Sequence, residues 1–203
     1  MELKQYIKII KRHIKSILMV STLVGFFALI FSAVKPVTYE TSLSLLISRA
    51  TAQETQDYKY DSYYAIQAND LFANTIVGWL KSPEIVVAIY KEAGVNFPVK
   101  NLRKLEKFFK TFKTSPHSIE VKFKSKTKKD AQSIAKTVVS VLKKKTTIIG
   151  RISQEEIVFS VIGSDPVIVE KKPNLILNTT VGVISGLLLG ILIIFGKEYF
   201  KTE

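Results

Sequence analysis

Two long runs without a single charged residue stand near opposite ends of this chain, Ser16 to Val34 and Leu175 to Gly196. At a rise of about 1.5 Å per residue they reach roughly 28 and 33 Å as helices. The hydrocarbon core of a bilayer is about 30 Å thick. Each run is long enough to cross a membrane, and a soluble fold of 203 residues has little use for two such helices at its extremities. The runs set the class of the protein ahead of any motif: two spans with one polar segment between them.

That middle segment is long enough for one domain with a modest core. The expected organisation is a basic amphipathic tail at 1–15, a transmembrane helix at 16–34, an extracytoplasmic domain at 35–172, a second transmembrane helix at 174–196 and a tail at 197–203. There is no cysteine, which excludes disulfides and thiolate metal sites. The first run has the basic start of a signal peptide, but its apolar stretch is longer than a usual signal core. Phe31-Ser32-Ala33 also puts a bulky residue where a cleavage site wants a small one. We read it as an uncleaved signal-anchor. Lys4, Lys8, Lys11, Arg12 and Lys15 precede the first span, and Lys197 and Lys201 follow the second. By the positive-inside rule both tails are cytoplasmic and the central domain is extracytoplasmic. The domain carries 23 Lys and Arg against 14 Asp and Glu, but charge in a long loop does not govern topology.

Residues 2–15 place Leu3, Ile7, Ile10 and Ile14 against Lys4, Lys8, Lys11 and Lys15 at helical spacing. That suits a short amphipathic helix on anionic headgroups; the ordinary basic flank of a signal-anchor has the same pattern. After Pro36, alternation from Val37 to Ile47 predicts a strand. Residues 49–62 read as a surface loop or a frayed helix start. From Tyr63 the period is helical, with Ile66, Ala73, Ile76 and Leu80 on one face and Phe72 and Trp79 beside it. Ser82-Pro83-Glu84 restarts a helix that ends near Ala93, before Gly94. Asn101 is expected to cap a third helix with Leu102, Leu105, Phe108, Phe109 and Phe112 as its apolar side. His117 to Lys124 is a second strand, Lys128 to Thr146 a long helix, and Glu156 to Ile162 a third strand. Pairing the first strand with the residues before the second span would join both membrane helices without strain. The expected class is α+β, a mixed sheet covered by helices, flanked by two transmembrane helices.

The chemistry of an enzyme is missing. His13 and His117 have no partner at metal-ligand spacing. There is no phosphate-binding loop and no nucleophile elbow. Glu155-Glu156 are neighbours on a predicted strand and point to opposite faces. The spans hold no ionisable residue, which argues against ion-coupled transport. We expect a non-catalytic protein without cofactor or metal.

Two patterns remain. Gly182, Gly186 and Gly190 recur every four residues on the second span, and such small residues let membrane helices approach closely. Glycine is also simply common in membrane helices. Lys100, Arg103, Lys104, Lys107 and Lys110 make one face of the expected third helix basic, and Lys122, Lys124, Lys126, Lys128 and Lys129 continue it. That face suits an anionic glycan, a lipid-linked pyrophosphate or phospholipid headgroups. It is equally what a solvated face in a Lys- and Ile-rich sequence carries. Nucleic acid would meet the charge but lies in the wrong compartment.

The order of these pieces resembles the polysaccharide chain-length determinants, the Wzz-type polysaccharide co-polymerases, in a short form. Tyr6-Ile7-Lys8-Ile9-Ile10-Lys11-Arg12 is similar to the family's entry into its first span, and Lys35-Pro36-Val37-Thr38-Tyr39-Glu40 to the strand that leaves it. Ile119-Glu120-Val121-Lys122-Phe123, then Asp130-Ala131-Gln132, resembles its strand and Ala-containing helix. Pro166 and Pro173 resemble its proline segment, which usually has a third regularly spaced proline. The resemblance implies a non-enzymatic oligomer in the cytoplasmic (inner) membrane. Its partners would be membrane lipid, copies of itself, a polysaccharide polymerase and the lipid-linked glycan. It would set the chain length or assembly of a lipopolysaccharide O-antigen, capsule or exopolysaccharide. A related branch implies an alternative, an adaptor that activates a separate cytoplasmic tyrosine kinase. A membrane-anchored binding or sensor module unrelated to glycans is the alternative from another class.

Overall fold

A computed structural model describes residues 9–49, 58–96, 101–152 and 159–201, in two compact units. One comprises the chain up to Val37 together with Lys172 onward; the other is Thr38–Lys171. In order the elements are α1 (Ile14–Val34), β1 (Thr38–Arg49), α2 (Tyr58–Lys81), α3 (Pro83–Glu92), α4 (Leu102–Leu105), β2 (Lys110–Ser115), β3 (Ser118–Ser125), α5 (Lys128–Ile152), β4 (Phe159–Gly163), β5 (Val167–Lys171) and α6 (Leu175–Lys201). Of the amphipathic helix expected at 2–15, residues 1–8 lie outside the described residues; 9–12 are helical, with a turn at His13. Residues 50–57 of the expected loop and 153–158, which include 156–158 of the expected third strand, also lie outside them.

The first unit is a pair of membrane-spanning helices, α1 and α6. Both are long and apolar enough to cross a bilayer. Away from their shared face their large apolar side chains are exposed, as at Met19, Phe27, Phe31, Ile176, Leu188 and Leu192. Such a surface suits lipid and would be an anomaly in water.

The second unit is an α+β domain on a five-stranded sheet of order β2-β3-β1-β4, with β5 also paired to β1. The sheet was expected to be mixed, yet every pairing is antiparallel. The reason is topological. The long helix α5 carries the chain from β3 to β4 as a parallel crossover would, but β1 lies between those two strands and runs against both. β4 and β5 share one edge of β1, opposite Leu45–Arg49 and Thr38–Ser42. Between them Ser164 bonds Ser44 in both directions, its N–H donating to the Ser44 carbonyl at 2.9 Å and its hydroxyl accepting from the Ser44 N–H at 3.2 Å. Pro166, which has no N–H to give a ladder, stands in this break.

Strand alternation sets the two faces of the sheet. Leu43, Leu45, Ile47, Ile119, Val121, Phe123 and Val161 are buried beneath Ala73, Ile76 and Leu80 of α2, Val86 and Ile89 of α3, and Ile134, Val138 and Leu142 of α5. Ile66, expected on the buried face of α2, is exposed, and Asn69 is buried instead; its Nδ2 lies 2.8 Å from His117 Nδ1. The start of α3 has Ser82 and Pro83 in the expected places, and Gly94 just beyond its end has φ +68°, the left-handed conformation that glycine adopts at least cost.

The third helix is the main correction. Asn101 does cap it, its side chain accepting from the Arg103 N–H at 2.9 Å, but α4 covers only Leu102–Leu105. The chain then turns, and Lys110–Ser115 is the edge strand β2, which returns through Pro116-His117 to β3. Thr-Phe-Lys-Thr at 111–114 is strand-forming sequence, and pairing with β3 decides the matter. Phe109 stays in the core, whereas Phe112 is half exposed on the open face of the sheet.

Candidate functional site

The face of the sheet turned away from the helices presents Glu40 and Ser42 from β1, Glu120, Lys122 and Lys124 from β3, Lys110 and Phe112 from β2, and Val167, Val169 and Lys171 from β5. These residues follow from the register. On β1 and β3 each lies one position away from a buried residue and so points to the other side, and the β2 and β5 residues share that face through their pairing with β3 and β1.

Next to this face lies an open groove of about 680 Å³. Six lysines line it: Lys104 and Lys107 from α4 and its following turn, Lys110 from β2, Lys122 and Lys124 from β3, and Lys171 from β5. Glu40 is the one carboxylate in its lining, and Phe108, Val167 and Val169 supply apolar wall. Thr41 also lines it, and the Thr41 Oγ1 is buried without a hydrogen-bond partner among the described residues.

The cations are unequally satisfied. Lys124 and Lys171 both donate to Glu40 Oε1, each at 3.0 Å. The hydrogen bond from Lys124, and then that from Lys171, holds the Glu40 carboxyl below its ordinary value. Glu120 is lowered too, first by the Ser42 hydroxyl, which donates at 2.7 Å, and then by Lys122, 3.0 Å away. Lys122 also stands 5.5 Å from the centre of the Phe112 ring, a cation–π distance. Lys104, Lys107 and Lys110 make no ion pair with the described residues. The groove is thus a region of net positive potential with three lysines left to solvent and counter-ions.

Of the basic residues singled out in sequence, Lys104, Lys107 and Lys110 come together here, although not on one helix face. Arg103 is exposed and outside the groove lining. Lys100 lies outside the described residues. Lys126, Lys128 and Lys129 are exposed at the α5 end of β3 and do not line it. Lys122 and Lys124 are legible from the alternation of β3. Lys171 and Glu40 have no local signal, because only the pairing of β5 with β1 brings them together.

In the helix pair, Gly182, Gly186 and Gly190 all lie against α1. A Cβ added at Gly186 would stand 2.8 Å from the Ser21 Cα, and one at Gly190 3.2 Å from the Ile17 Cα. At Gly182 it would collide with the Ala28 Cβ. Gly25 on α1 answers them, since a Cβ there would reach within 2.6 Å of Val183 Cγ2. Two hydrogen bonds bridge the helices: Ser21 Oγ donates to the Val183 carbonyl at 2.9 Å, and Asn178 Nδ2 donates to Ser32 Oγ at 2.7 Å. His13 Nε2 and Glu198 Oε2 approach to 3.9 Å at the other end of the pair. Pro173 stands just before α6 and Pro166 in the break between β4 and β5.

No group of three or more metal-ligating side chains occurs among the described residues. What the arrangement offers chemically is charge and close helix packing.

Residues 1–93 match the family model described as "Wzz: Chain length determinant protein". The matched part includes α1, β1, α2 and α3, and ends just past Glu92. It bears out the resemblance drawn from the entry into the first span and the strand that leaves it; β3, α5, Pro166 and Pro173 lie beyond the match. No curated protein matches the chain.

Proposed function

We propose, for a chain whose first 93 residues match the chain length determinant family, that it is a two-span protein of the inner membrane that regulates the chain length or assembly of a cell-surface polysaccharide without catalysing a reaction itself. The observation that carries the reading is the coincidence of the family match with a first span running directly into the central strand of a helix-covered sheet. Both tails are cytoplasmic and the α+β domain is extracytoplasmic, as the flanking lysines and arginines argue. The protein acts as a homo-oligomer with a polysaccharide polymerase and its lipid-linked glycan. Gly182, Gly186 and Gly190 hold the two spans of each subunit together. Pro166 and Pro173 shape the approach to the second span.

Deleting the gene and resolving the surface polysaccharide on a gel tests this. A changed length distribution, restored by the intact gene, is expected. An unchanged distribution would remove the reading.

A further inference from the structure

We propose that the lysine groove binds a segment of an acidic glycan, one carrying carboxylate or phosphate groups along its length. This rests on the reading of the protein as a regulator of polysaccharide length, and adds to it the charge of the polymer and the place where it is held.

Three observations carry it. The first is the imbalance of charge. Six lysines line one groove with a single carboxylate, and that carboxylate is already shared by Lys124 and Lys171. Lys104, Lys107 and Lys110 have no acidic partner among the described residues. Crowding like charges costs free energy that an anionic ligand removes.

The second is how the charge is spread. Four of the six lysines come from β5, β3 and β2, with β1 between β5 and β3, and Lys104 and Lys107 come from α4 and its following turn. At about 4.8 Å between neighbouring strands the four on strands extend over roughly 14 Å of sheet. Lys110 and Lys122 stand opposite each other in the β2–β3 pairing, and Lys124 opposite Glu40 in the β1–β3 pairing. A single phosphate meets only part of such a row, whereas a chain with charges at intervals meets all of it.

The third is the size and the wall. About 680 Å³ is the volume of a pocket for an extended ligand, not for one small ion. Val167 and Val169 are 64% and 59% exposed, a flat apolar strip beside the lysines. The C–H faces of sugar rings pack on such a strip while their acidic groups meet the ammonium groups.

The test uses the full chain in nanodiscs of phosphatidylcholine, with hexagalacturonate as acidic probe, maltohexaose as neutral probe and inorganic pyrophosphate as compact anion, each titrated by calorimetry. Hexagalacturonate is expected to bind about tenfold or more tighter than either of the others, and to weaken about tenfold when salt rises from 0.05 to 0.3 M, because screening is strong at that ionic strength. Lys107→Glu with Lys110→Glu is expected to weaken it by a further factor of about ten, whereas Lys143→Glu, on α5 outside the groove, changes it less than about twofold. Lys107→Gln with Lys110→Gln supplies the same comparison if the charge-reversed protein does not fold. Equal binding of the acidic and neutral hexamers, pyrophosphate binding as tightly as the hexamer, or an unaffected groove variant would each overturn the inference. So would loss of hexagalacturonate binding when part of the phosphatidylcholine is replaced by phosphatidylglycerol, which would make the groove a lipid-headgroup site. Hexagalacturonate that fails to bind a protein whose deletion alters glycan length removes this inference alone. Binding together with an unchanged glycan on deletion removes the proposed function instead.

Discussion

Gly186 of the second membrane helix lies directly over Ser21 of the first, so close that a Cβ on Gly186 would stand 2.8 Å from the Ser21 Cα. The Ser21 backbone and the Val24 Cβ, not the far end of a flexible side chain, are what a substituent would meet. Gly186→Leu is therefore expected to force the helices apart and to lower the thermal midpoint of the detergent-solubilised protein by several degrees. Ser21→Ala removes only the hydrogen bond to the Val183 carbonyl and is expected to cost about 0.6 kcal/mol, the average for such bonds within membranes. A Leu variant as stable as the parent would mean the glycine face is not a packing face.

The absence of native cysteine makes the same pairing open to direct chemistry. Ile17 and Gly190 meet across the helix pair. Ile17→Cys with Gly190→Cys is expected to form an intramolecular disulfide on mild oxidation, seen as a mobility shift reversed by reductant. Leu18→Cys with Gly190→Cys is the control, since Leu18 is 54% exposed. Cross-linking only between separate chains would place the glycine face between subunits.

Glu40, Glu92 and Glu120 each bind lysines or hydroxyls in the folded domain, and each carboxyl is held below its ordinary value of 4.5. For Glu92 the hydrogen bond from Lys144 comes first, with Ser140 adding to it. A carboxyl whose folded pKa is lowered contributes stability above its unfolded pKa and loses it as pH falls through the folded value. The thermal midpoint is therefore expected to hold between pH 7 and about 5 and to fall below about 4.5. Glu40→Gln with Glu120→Gln is expected to flatten part of that fall. An identical pH profile would show that these contacts are not maintained in solution.

Phe109 is 2% exposed and meets Phe123 edge to face, ring centres 5.6 Å apart. Phe109→Ala is expected to destabilise the domain by about 3–5 kcal/mol through lost burial and the cavity left behind. Phe112→Ala, three residues on but half exposed, is expected to cost far less. Similar losses in urea unfolding would contradict the placing of Phe109 in the core and Phe112 on the open face of the sheet, because it is β2 that turns Phe112 outward.

Lys126 stands exposed in the turn between β3 and α5. In the cysteine-free background, Lys126→Cys is expected to react with a membrane-impermeant maleimide in spheroplasts before lysis. Protection until lysis would put the domain in the cytoplasm and reverse the topology.

Much of this protein was readable from local pattern. The spans, β1, β3, the start of α3 at Ser82-Pro83 and its end before Gly94 all follow from periodicity and capping, which act within a few residues of the chain. The error at Lys110–Ser115 has the opposite origin. A helix that starts correctly at Asn101 gives way to a strand because β3 offers an edge to pair with; Thr-Phe-Lys-Thr at 111–114 favours a strand, but nothing within 101–115 shows the edge that completes it. Asn69 is a similar case: only the fold brings His117, 48 positions away, against the Nδ2 of its buried side chain.

The sequence by itself determined that two helices can cross a membrane, that an α+β domain lies between them in the chain, and that its basic residues outnumber its acidic ones. Those are properties of composition and short-range spacing. Only the tertiary structure decided which lysines share a groove. Lys110, Lys122, Lys124 and Lys171 meet there because β3 pairs with β2 and β1, and β1 with β5, and strand register, once set by the buried face, leaves the other face no choice of neighbours; α4 and its following turn add Lys104 and Lys107. It decided likewise that the three glycines face Ser21, Ile17 and Ala28 of the same chain, since close packing in a bilayer depends on which two surfaces fit, and that is a property of the pair of helices and not of either one.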